Sequence, residues 1–187
     1  LPDYFASHIH ANHRYILDYY LPQKLGRPPT NNEIEGYLNA WAEIERDLPT
    51  YKPVFSHIDY HAENLMWIPT EDGLKRCGIL DFQGAMTGHP AYDLANLLED
   101  ARCDVPDDIR QKILSQYDED FLAWYRVLAT QFHCRVIGQF IKLAHEKNAP
   151  AFLTHIPRLE KYIESALKQP QLEPLQKFLK QVNLFTL

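Results

Sequence analysis

The chain has 187 residues, a formal net charge of -6 and a sequence pI near 5.8. Its length fits one domain or one large lobe of a bigger molecule. The acidic balance argues against a general nucleic-acid binder, which carries a basic face. No apolar run reaches the roughly 18 residues of a membrane span, and no signal peptide is visible. We therefore expect a cytoplasmic protein with no nucleic-acid or membrane partner.

The three cysteines, Cys77, Cys103 and Cys134, are far apart in the chain and form no CxxC pair. This spacing argues against a zinc site and against a disulfide framework. Three scattered thiols are typical of a protein in a reducing cytoplasm.

The first third of the chain predicts two helices. The aromatic-rich segment Tyr4–Tyr20 predicts the first, which Pro22 and the Gly-Pro stretch after it should break. Thr30 and Glu33 have the spacing of a capping box, so a second helix should span Asn31–Leu48. The residues expected on its apolar face are Ile34, Leu38, Trp41 and Ile44.

The middle of the chain predicts short strands. Val54–His57, Leu65–Ile68 and Leu74–Leu80 are short runs rich in apolar residues, and a turn signal separates the last two. We interpret those two runs as a hairpin. After Pro90 the pattern becomes helical again, with helices expected at Ala91–Ala101, Pro106–Tyr117, Asp118–His145, Ala151–Lys168 (with a kink at Pro157) and Leu172–Val182.

The most informative segment is His57–Asn64, an H-x-D-x-x-x-x-N pattern followed 17 residues later by Asp81. A carboxylate at the end of a strand, Asp59, can orient an acceptor hydroxyl and take its proton. Asn64 and Asp81 supply the oxygen ligands that Mg²⁺ prefers. Each residue alone has a plainer interpretation as a turn or cap residue. The spaced set favours phosphoryl transfer with ATP and Mg²⁺ as cofactors.

This segment, together with Leu80–Gln83, resembles the catalytic and metal loops of the aminoglycoside phosphotransferase superfamily, which is related to protein kinases. The next segment, Gly88–Ala95, is similar to its G-x-P-x-x-D-L motif. The resemblance implies the C-terminal lobe of a kinase-like α+β fold, mostly helical with a short central hairpin. It also implies that Asp93 is a buried anchor for the catalytic-loop backbone, and we expect His57 to support the same loop.

A narrower resemblance is to the bacterial anomeric kinases of N-acetylmuramate and N-acetylglucosamine. It is carried by His57–Trp67, Gly78–Gln83, Pro90–Leu94 and Leu97–Arg102, and it weakens after about residue 145. It implies a small-molecule acceptor, an N-acetylated amino sugar phosphorylated at its anomeric hydroxyl during cell-wall sugar recycling. One departure from the superfamily pattern is Ile58, which stands where Arg or Gly is common.

A complete enzyme of this type needs a glycine-rich strand–turn and a strand lysine that hold the phosphates. The chain has no G-x-G-x-x-G motif and no suitable lysine ahead of the catalytic loop. We therefore expect residues 1–187 to be a C-terminal catalytic and acceptor-binding lobe whose N-terminal nucleotide-binding lobe lies upstream. Alone, this piece should be inactive or nearly so.

Other polar residues have open interpretations. His61 can contact substrate or phosphate, while Glu99 and Arg102 can line the acceptor site. An acidic wall along Glu99–Asp120 would suit polycationic acceptors, whereas Arg102 would suit an acceptor with a carboxylate. The H-x-H-x-x-H run of His8, His10 and His13 could bind a metal but more simply lies on a helix surface.

Two alternatives remain open at this point. The acceptor could be another small molecule of the superfamily, such as an aminoglycoside, choline or homoserine. The chain could also be a non-catalytic binding module that keeps the kinase-like fold. The presence of all three residues Asp59, Asn64 and Asp81 argues against the second alternative.

Overall fold

The computed structural model describes residues 1–4 and 14–185 of the chain. The histidine run of His8, His10 and His13 lies outside these residues, as does most of the predicted helix Tyr4–Tyr20. Within the described part, a π-helical segment (Ile16–Tyr20) leads into a short α-helix that contains Pro22. The predicted break at Pro22 is wrong, because proline in the first turn of a helix lacks only an N–H that would be unpaired there. The predicted break at the Gly-Pro stretch is confirmed, since the helix ends at Leu25 and Gly26 adopts left-handed angles.

The described part contains seven α-helices and four strands. In chain order they are α1 (Leu21–Leu25), α2 (Asn31–Arg46), β1 (Val54–Ser56), β2 (Leu65–Trp67), β3 (Cys77–Ile79), β4 (Met86–Gly88), α3 (Ala91–Leu98), α4 (Asp107–Leu114), α5 (Glu119–Glu146), α6 (Ile156–Ala166) and α7 (Glu173–Gln181). Short 3₁₀ turns connect several of them, among them Ala62–Asn64, Gly73–Arg76, Phe82–Gly84 and Pro150–His155. The mostly helical α+β fold is confirmed.

Helix α2 begins with the predicted capping box. The Thr30 hydroxyl accepts from the Glu33 amide at 3.2 Å, and the Glu33 carboxylate accepts from the Thr30 amide at 2.7 Å. The predicted apolar face is partly wrong, since Leu38 is exposed and Tyr37 is buried instead. Tyr37 packs against Phe178 of α7, which sets the rotation of α2 about its axis.

The strands form two separate antiparallel pairs. β2 pairs with β3, with Leu65 opposite Ile79, which confirms the predicted hairpin. Its second strand is shorter than predicted because Leu74 lies in a 3₁₀ turn. β1 pairs with β4, a strand that the sequence analysis did not predict.

Several predicted helices are shorter or divided in the structure. The helix expected at Ala91–Ala101 ends at Leu98, and that expected at Pro106–Tyr117 ends at Leu114. The helix expected at Ala151–Lys168 becomes a 3₁₀ segment followed by α6, so Pro157 marks a helix start rather than a kink.

Helix α5 is the centre of the core. It packs against the π-helical segment, α3 and α6, while α2 packs against α7. Its aromatic residues Trp124, Tyr125, Phe132 and Phe140 are buried, as predicted. No described helix has the length and apolar character needed to cross a membrane. Helix α3 packs on α5, and its side chains hydrogen-bond to the loop that follows β1, so it positions that loop.

Candidate active site

The β2–β3 hairpin brings Asn64 and Asp81 together. Asn64 precedes β2 directly, and Asp81 follows β3 by two positions. The ladder continues one step past the strands, because the Leu80 amide donates to the Asn64 carbonyl at 2.9 Å. Asp81 is therefore the residue next to the backbone partner of Asn64.

Asp59 and Asn64 are in direct contact. The Asn64 side-chain nitrogen donates to the Asp59 carbonyl at 2.9 Å and to the Asp59 carboxylate at 3.3 Å. The Asp59 side chain is nevertheless 61% exposed, so its carboxylate is open to an incoming hydroxyl. With the Asn64 nitrogen occupied by these contacts, the amide oxygen remains as the atom suited to a cation.

Asp81 has left-handed backbone angles, with φ at +60°, and precedes the 3₁₀ turn Phe82–Gly84. This conformation is uncommon outside glycine, although Asp tolerates it better than most residues. One carboxylate oxygen of Asp81 accepts from the Gln83 side chain at 2.6 Å. The side chain is exposed, so its second oxygen is available to a ligand.

A carboxylate and an amide from α3 hold the loop that carries Asp59. Asp93 accepts from the amides of His57 at 2.6 Å and Ile58 at 2.9 Å. Asn96 donates to the Ile58 carbonyl at 3.1 Å. Asp93 is half-buried rather than fully buried, and burial raises its pKa although the two amide hydrogen bonds oppose that rise.

Ile58 itself has a φ of +75°, an unfavourable conformation for a β-branched residue. Such a conformation persists only where the surroundings hold it, and it is concentrated at functional sites. Here α3 holds the peptide groups on both sides of Ile58, through Asp93 on the amide and Asn96 on the carbonyl. The position of Asp59 therefore depends on α3.

His57 connects the same loop to the end of β3. Its side chain is buried, and its Nε2 lies 2.7 Å from the Leu80 carbonyl oxygen. The carbonyl can only accept, so this nitrogen carries the proton. This contact is what a supporting role for His57 requires, and it keeps the ring nitrogen from proton transfer.

His61 lies on the other side of Asp59. Its Nε2 is 3.5 Å from an Asp59 carboxylate oxygen and 3.3 Å from the Asn64 side-chain nitrogen. The His61 side chain is largely buried, and its Nδ1 has no hydrogen-bond partner in the described part of the chain. His61 is thus near enough to Asp59 to take part in orienting it.

A pocket lies next to Asp59, between α3, α5 and the segment that follows α3. Its lining residues are Asp59, His61, Asn96, Arg102, Phe132, Arg135, Val136, Gln139 and Phe140. Of the acceptor-site residues considered from sequence, Arg102 lies in this pocket. Glu99 does not, because its carboxylate accepts from Tyr125 at 2.8 Å and lines a separate pocket with Arg110. The acidic residues of Glu99–Asp120, considered from sequence as an acceptor-site surface, therefore do not line the pocket at Asp59.

Three further residues at this site, Asn96, Asp100 and Arg135, were not identified from the sequence. Asp100 is 1% exposed and accepts from the backbone amides of Arg102 at 2.7 Å and Ala62 at 3.4 Å. A signal existed for two of the three residues. Asn96 follows Asp93 by three positions, which places both on one face of α3, and Arg135 is a single charge within the buried central stretch of α5.

Two oxygen-bearing side chains at the hairpin base, Asn64 and Asp81, can hold a divalent cation. Mg²⁺ takes few protein ligands and completes its shell with water and substrate phosphates. Within residues 1–4 and 14–185, no group of three or more His, Cys, Asp or Glu side chains is arranged around a metal site. A cation here would therefore depend on the substrate for further ligands.

Comparison with known proteins places these observations in a family. Residues 4–130 match the model of the phosphotransferase enzyme family. An N-acetylmuramate/N-acetylglucosamine kinase of Caulobacter vibrioides is 38% identical over 144 residues, which cover 73% of this chain and 40% of the relative. A protein of the same name from Pseudomonas aeruginosa is 30% identical over 96% of this chain and 56% of its own length.

A third protein of that name, from Neisseria meningitidis, is 24% identical over 94% of this chain and 55% of its own length. The chain thus spans about half the length of the curated relatives that it matches. The family model covers more than half of the chain and includes Asp59, Asn64, Asp81 and Asp93. The chain belongs to the phosphotransferase enzyme family.

Proposed function

We propose that this chain is the catalytic and acceptor-binding lobe of an ATP-dependent kinase that phosphorylates an N-acetylated amino sugar at its anomeric hydroxyl. The observation that carries the proposal is the convergence of Asp59, Asn64 and Asp81 at the base of one hairpin. Family membership supports the reaction class. The names of the relatives support the acceptor class.

Asp59 is the catalytic residue in this proposal. Its exposed carboxylate accepts a hydrogen bond from the acceptor hydroxyl and aims that oxygen at the γ-phosphate. It takes the hydroxyl proton as the new P–O bond forms and the bond from the γ-phosphorus to the β–γ bridging oxygen breaks, which releases ADP. The hydrogen bonds from Asn64 orient the Asp59 backbone and carboxylate before the substrate arrives. The clamp that Asp93 and Asn96 form on Ile58 prevents the loop from moving away.

Asn64 and Asp81 would hold Mg²⁺ through the amide oxygen and the free carboxylate oxygen. When bound, this ion offsets the negative charge of the triphosphate. The contact between Gln83 and Asp81 limits the rotation of the Asp81 carboxylate and so directs its second oxygen. His57 keeps the two sides of the site at a constant separation by joining the catalytic loop to Leu80.

The pocket next to Asp59 favours a sugar over a polycationic acceptor. Two arginines, Arg102 and Arg135, line it, and Asp59 is its single acidic residue. An aminoglycoside, which carries several positive charges, would be repelled by these guanidinium groups. A neutral or anionic amino sugar meets no such repulsion.

We also propose that an upstream nucleotide-binding lobe covers the apolar surface beside the strands. Phe55 is 60% exposed and Phe82 63% exposed, and both line a hollow with His57, Tyr60 and Ile79. Contiguous exposed apolar surface of this kind is typical of a binding site or an interface. The hollow lies on the hairpin side of the active site, where the adenine ring and that lobe would be placed.

The reaction would take place in the bacterial cytoplasm and serve the recycling of cell-wall sugars. The three cysteines support this location, because all of them are free thiols and such thiols persist in a reducing compartment.

The test uses the protein expressed from its complete gene, with ATP, Mg²⁺ and N-acetylated amino sugars. We expect Mg²⁺-dependent formation of a sugar 1-phosphate, detectable by phosphorus NMR. Asp59→Asn should lower kcat by about 100-fold or more, since general base catalysis contributes about that much. The control, Asp72→Asn, changes an exposed carboxylate in the hairpin turn and should keep full activity.

If the complete protein phosphorylates none of the amino sugars, the acceptor assignment is wrong. Near-normal kcat of a folded Asp59→Asn protein would refute the role of Asp59. Circular dichroism and thermal unfolding of both variants separate a loss of chemistry from a loss of structure.

A further inference from the structure

The pocket next to Asp59 contains two guanidinium groups from distant parts of the chain. Arg102 follows α3, and Arg135 lies in the middle of α5. Both face the same small space as the proposed catalytic base. Asp59 is the one carboxylate among the described residues that line this pocket, so the two guanidinium groups leave an excess of positive charge that favours an anionic group in the ligand.

Arg135 is oriented by neutral partners. Its Nη1 donates to the Gln139 side chain at 2.8 Å, and its Nη2 donates to the Tyr92 hydroxyl at 3.1 Å. Its Nε is buried and has no hydrogen-bond partner in the described part of the chain. Asp59 lines the same pocket, but its carboxylate lies 3.5 Å from His61 and forms no ion pair with this guanidinium. Arg135 is therefore preorganised but retains its capacity to bind an anion.

Arg102 is positioned by its backbone and is only weakly paired through its side chain. The buried Asp100 accepts from the Arg102 amide at 2.7 Å. The Arg102 Nε lies 3.5 Å from Glu63, whose side chain is 71% exposed, and the guanidinium lies over the Phe140 ring at 5.5 Å. An exposed ion pair of this length contributes little to stability, so a ligand carboxylate can replace Glu63 as the partner of Arg102.

We propose that Arg102 and Arg135 form a carboxylate-binding subsite that makes the enzyme prefer an acceptor with a carboxylate beside its sugar ring. The inference rests on the proposed function. The planar fork of arginine matches a carboxylate in geometry and charge. Of the two sugars in the relatives' names, N-acetylmuramate carries a lactyl carboxylate, and N-acetylglucosamine lacks it.

The subsite would also be coupled to the catalytic loop. Asp100 holds the Arg102 amide with one carboxylate oxygen and the Ala62 amide with the other. Ala62 lies three residues after Asp59, so the same side chain positions the anion-binding residue and the loop of the base. Both Arg102 and Arg135 are thus specificity-determining residues in this proposal, and Asp100 is a positioning residue.

The experiment measures kcat/KM of the protein expressed from its complete gene for three acceptors: N-acetylmuramate, its methyl ester and N-acetylglucosamine. We expect the free acid to be preferred over both neutral sugars by about 10- to 100-fold, the range of a charge-assisted hydrogen-bond pair. Arg102→Met keeps an unbranched apolar stem over Phe140 and should lower the acid-to-neutral ratio about 10-fold. Arg135→Gln should lower the same ratio, and Arg135→Lys should keep part of it.

Arg126→Met is the matched control. Arg126 lies on the same helix as Arg135, but it pairs with Glu119 and lines the other pocket. This variant removes the same charge and should leave the acid-to-neutral ratio at the wild-type value. Should the Arg135 variants fail to fold, Arg102→Met decides, because the Arg102 side chain is partly exposed.

The two proposals fail in different ways. Phosphorylation of all three acceptors with equal kcat/KM would overturn the subsite and leave the proposed function intact. A proportional loss on all acceptors in Arg102→Met would overturn it as well. If no sugar is phosphorylated, the proposed function is wrong. Calorimetric binding of N-acetylmuramate but not its ester would then still support the subsite, and equal or absent binding would overturn it.

Discussion

The Asp93 carboxylate accepts a 2.9 Å hydrogen bond from the amide of Ile58, a residue whose φ of +75° is unfavourable for its branched side chain. The bond fixes the peptide group between His57 and Ile58, and Asn96 holds the next one, which joins Ile58 to Asp59. An unfavourable backbone conformation is thus maintained by two side chains of a neighbouring helix, Asp93 and Asn96, and the orientation of the proposed base depends on it.

We predict that Asp93→Asn will lower both stability and turnover. An amide can accept through its oxygen alone, so one of the two amides of His57 and Ile58 would face an N–H group. Leaving a buried donor unpaired costs about 1–3 kcal/mol of the free energy of unfolding. Urea unfolding measures the loss, and kcat reports the displaced Asp59. Asp108→Asn, an exposed first-turn change in α4, should be neutral. Equal stability of both variants would contradict the clamp.

Asp81→Asn tests the proposed cation site. Replacing a carboxylate by a neutral amide weakens the attraction for a divalent cation. We expect the Mg²⁺ concentration for half-maximal turnover to rise about 10-fold or more, a typical effect of altering a metal site. Excess Mg²⁺ should restore part of the rate. An unchanged Mg²⁺ dependence, with the Asp72→Asn control as reference, would remove Asp81 from the site.

Gly138 on α5 should not tolerate even a methyl group. A Cβ at this position would overlap the backbone carbonyl of Tyr15. Gly→Ala in a helix interior normally stabilises a protein by up to about 1 kcal/mol. Here we expect the opposite sign, with a loss of about 1–3 kcal/mol from overpacking. Thermal unfolding checks the sign, and Gly84→Ala, where space is open, is the control.

His89 should make stability pH-dependent. Its ring stacks on Trp124, its Nδ1 accepts from the Ala91 amide, and burial lowers its pKa to about 4 from the ordinary 6.5. Between these values the unfolded chain binds a proton that the folded protein does not, so this stability is complete above about pH 6.5 and is lost as the pH falls toward 4.

The measurement is the free energy of unfolding at pH 7.5 and pH 5 for wild type and His89→Asn. Asn can replace Nδ1 as the acceptor but does not titrate. We expect the variant to be less stable at pH 7.5 and to lose less stability on acidification. An identical loss in both proteins would show that His89 does not control the acid sensitivity. Burial also lowers the pKa values of His133 and His155, so both add to the loss of stability in acid.

Local sequence patterns were sufficient to predict those elements whose stabilising contacts join residues close together in the chain. The capping box at Thr30 involves groups three residues apart, and the β2–β3 hairpin needs only a turn between two runs. Both were predicted correctly. The motif around Asp59 belongs to the same class, because Asn64 contacts Asp59 within one loop.

Contacts between segments that are far apart in the chain could not be predicted from the sequence. β4 exists because it pairs with β1, more than 30 residues earlier. Tyr37 replaces Leu38 on the buried face of α2 because Phe178 lies opposite it. Glu99 is turned away from Asp59 by the hydroxyl of Tyr125 on α5. The periodic pattern of apolar residues along a helix or strand does not indicate any of these contacts.

The sequence by itself predicted the helix-rich plan and supplied the proposed reaction class with its candidate residues Asp59, Asn64 and Asp81, since these rest on short-range spacing and residue chemistry. The tertiary structure alone decided what lies beside Asp59. Arg135 comes from the centre of α5 and Arg102 from the segment after α3, and only the packing of α3 against α5 brings them into one pocket. The proposed chemistry is therefore local in the chain, whereas the proposed selectivity depends on helix packing.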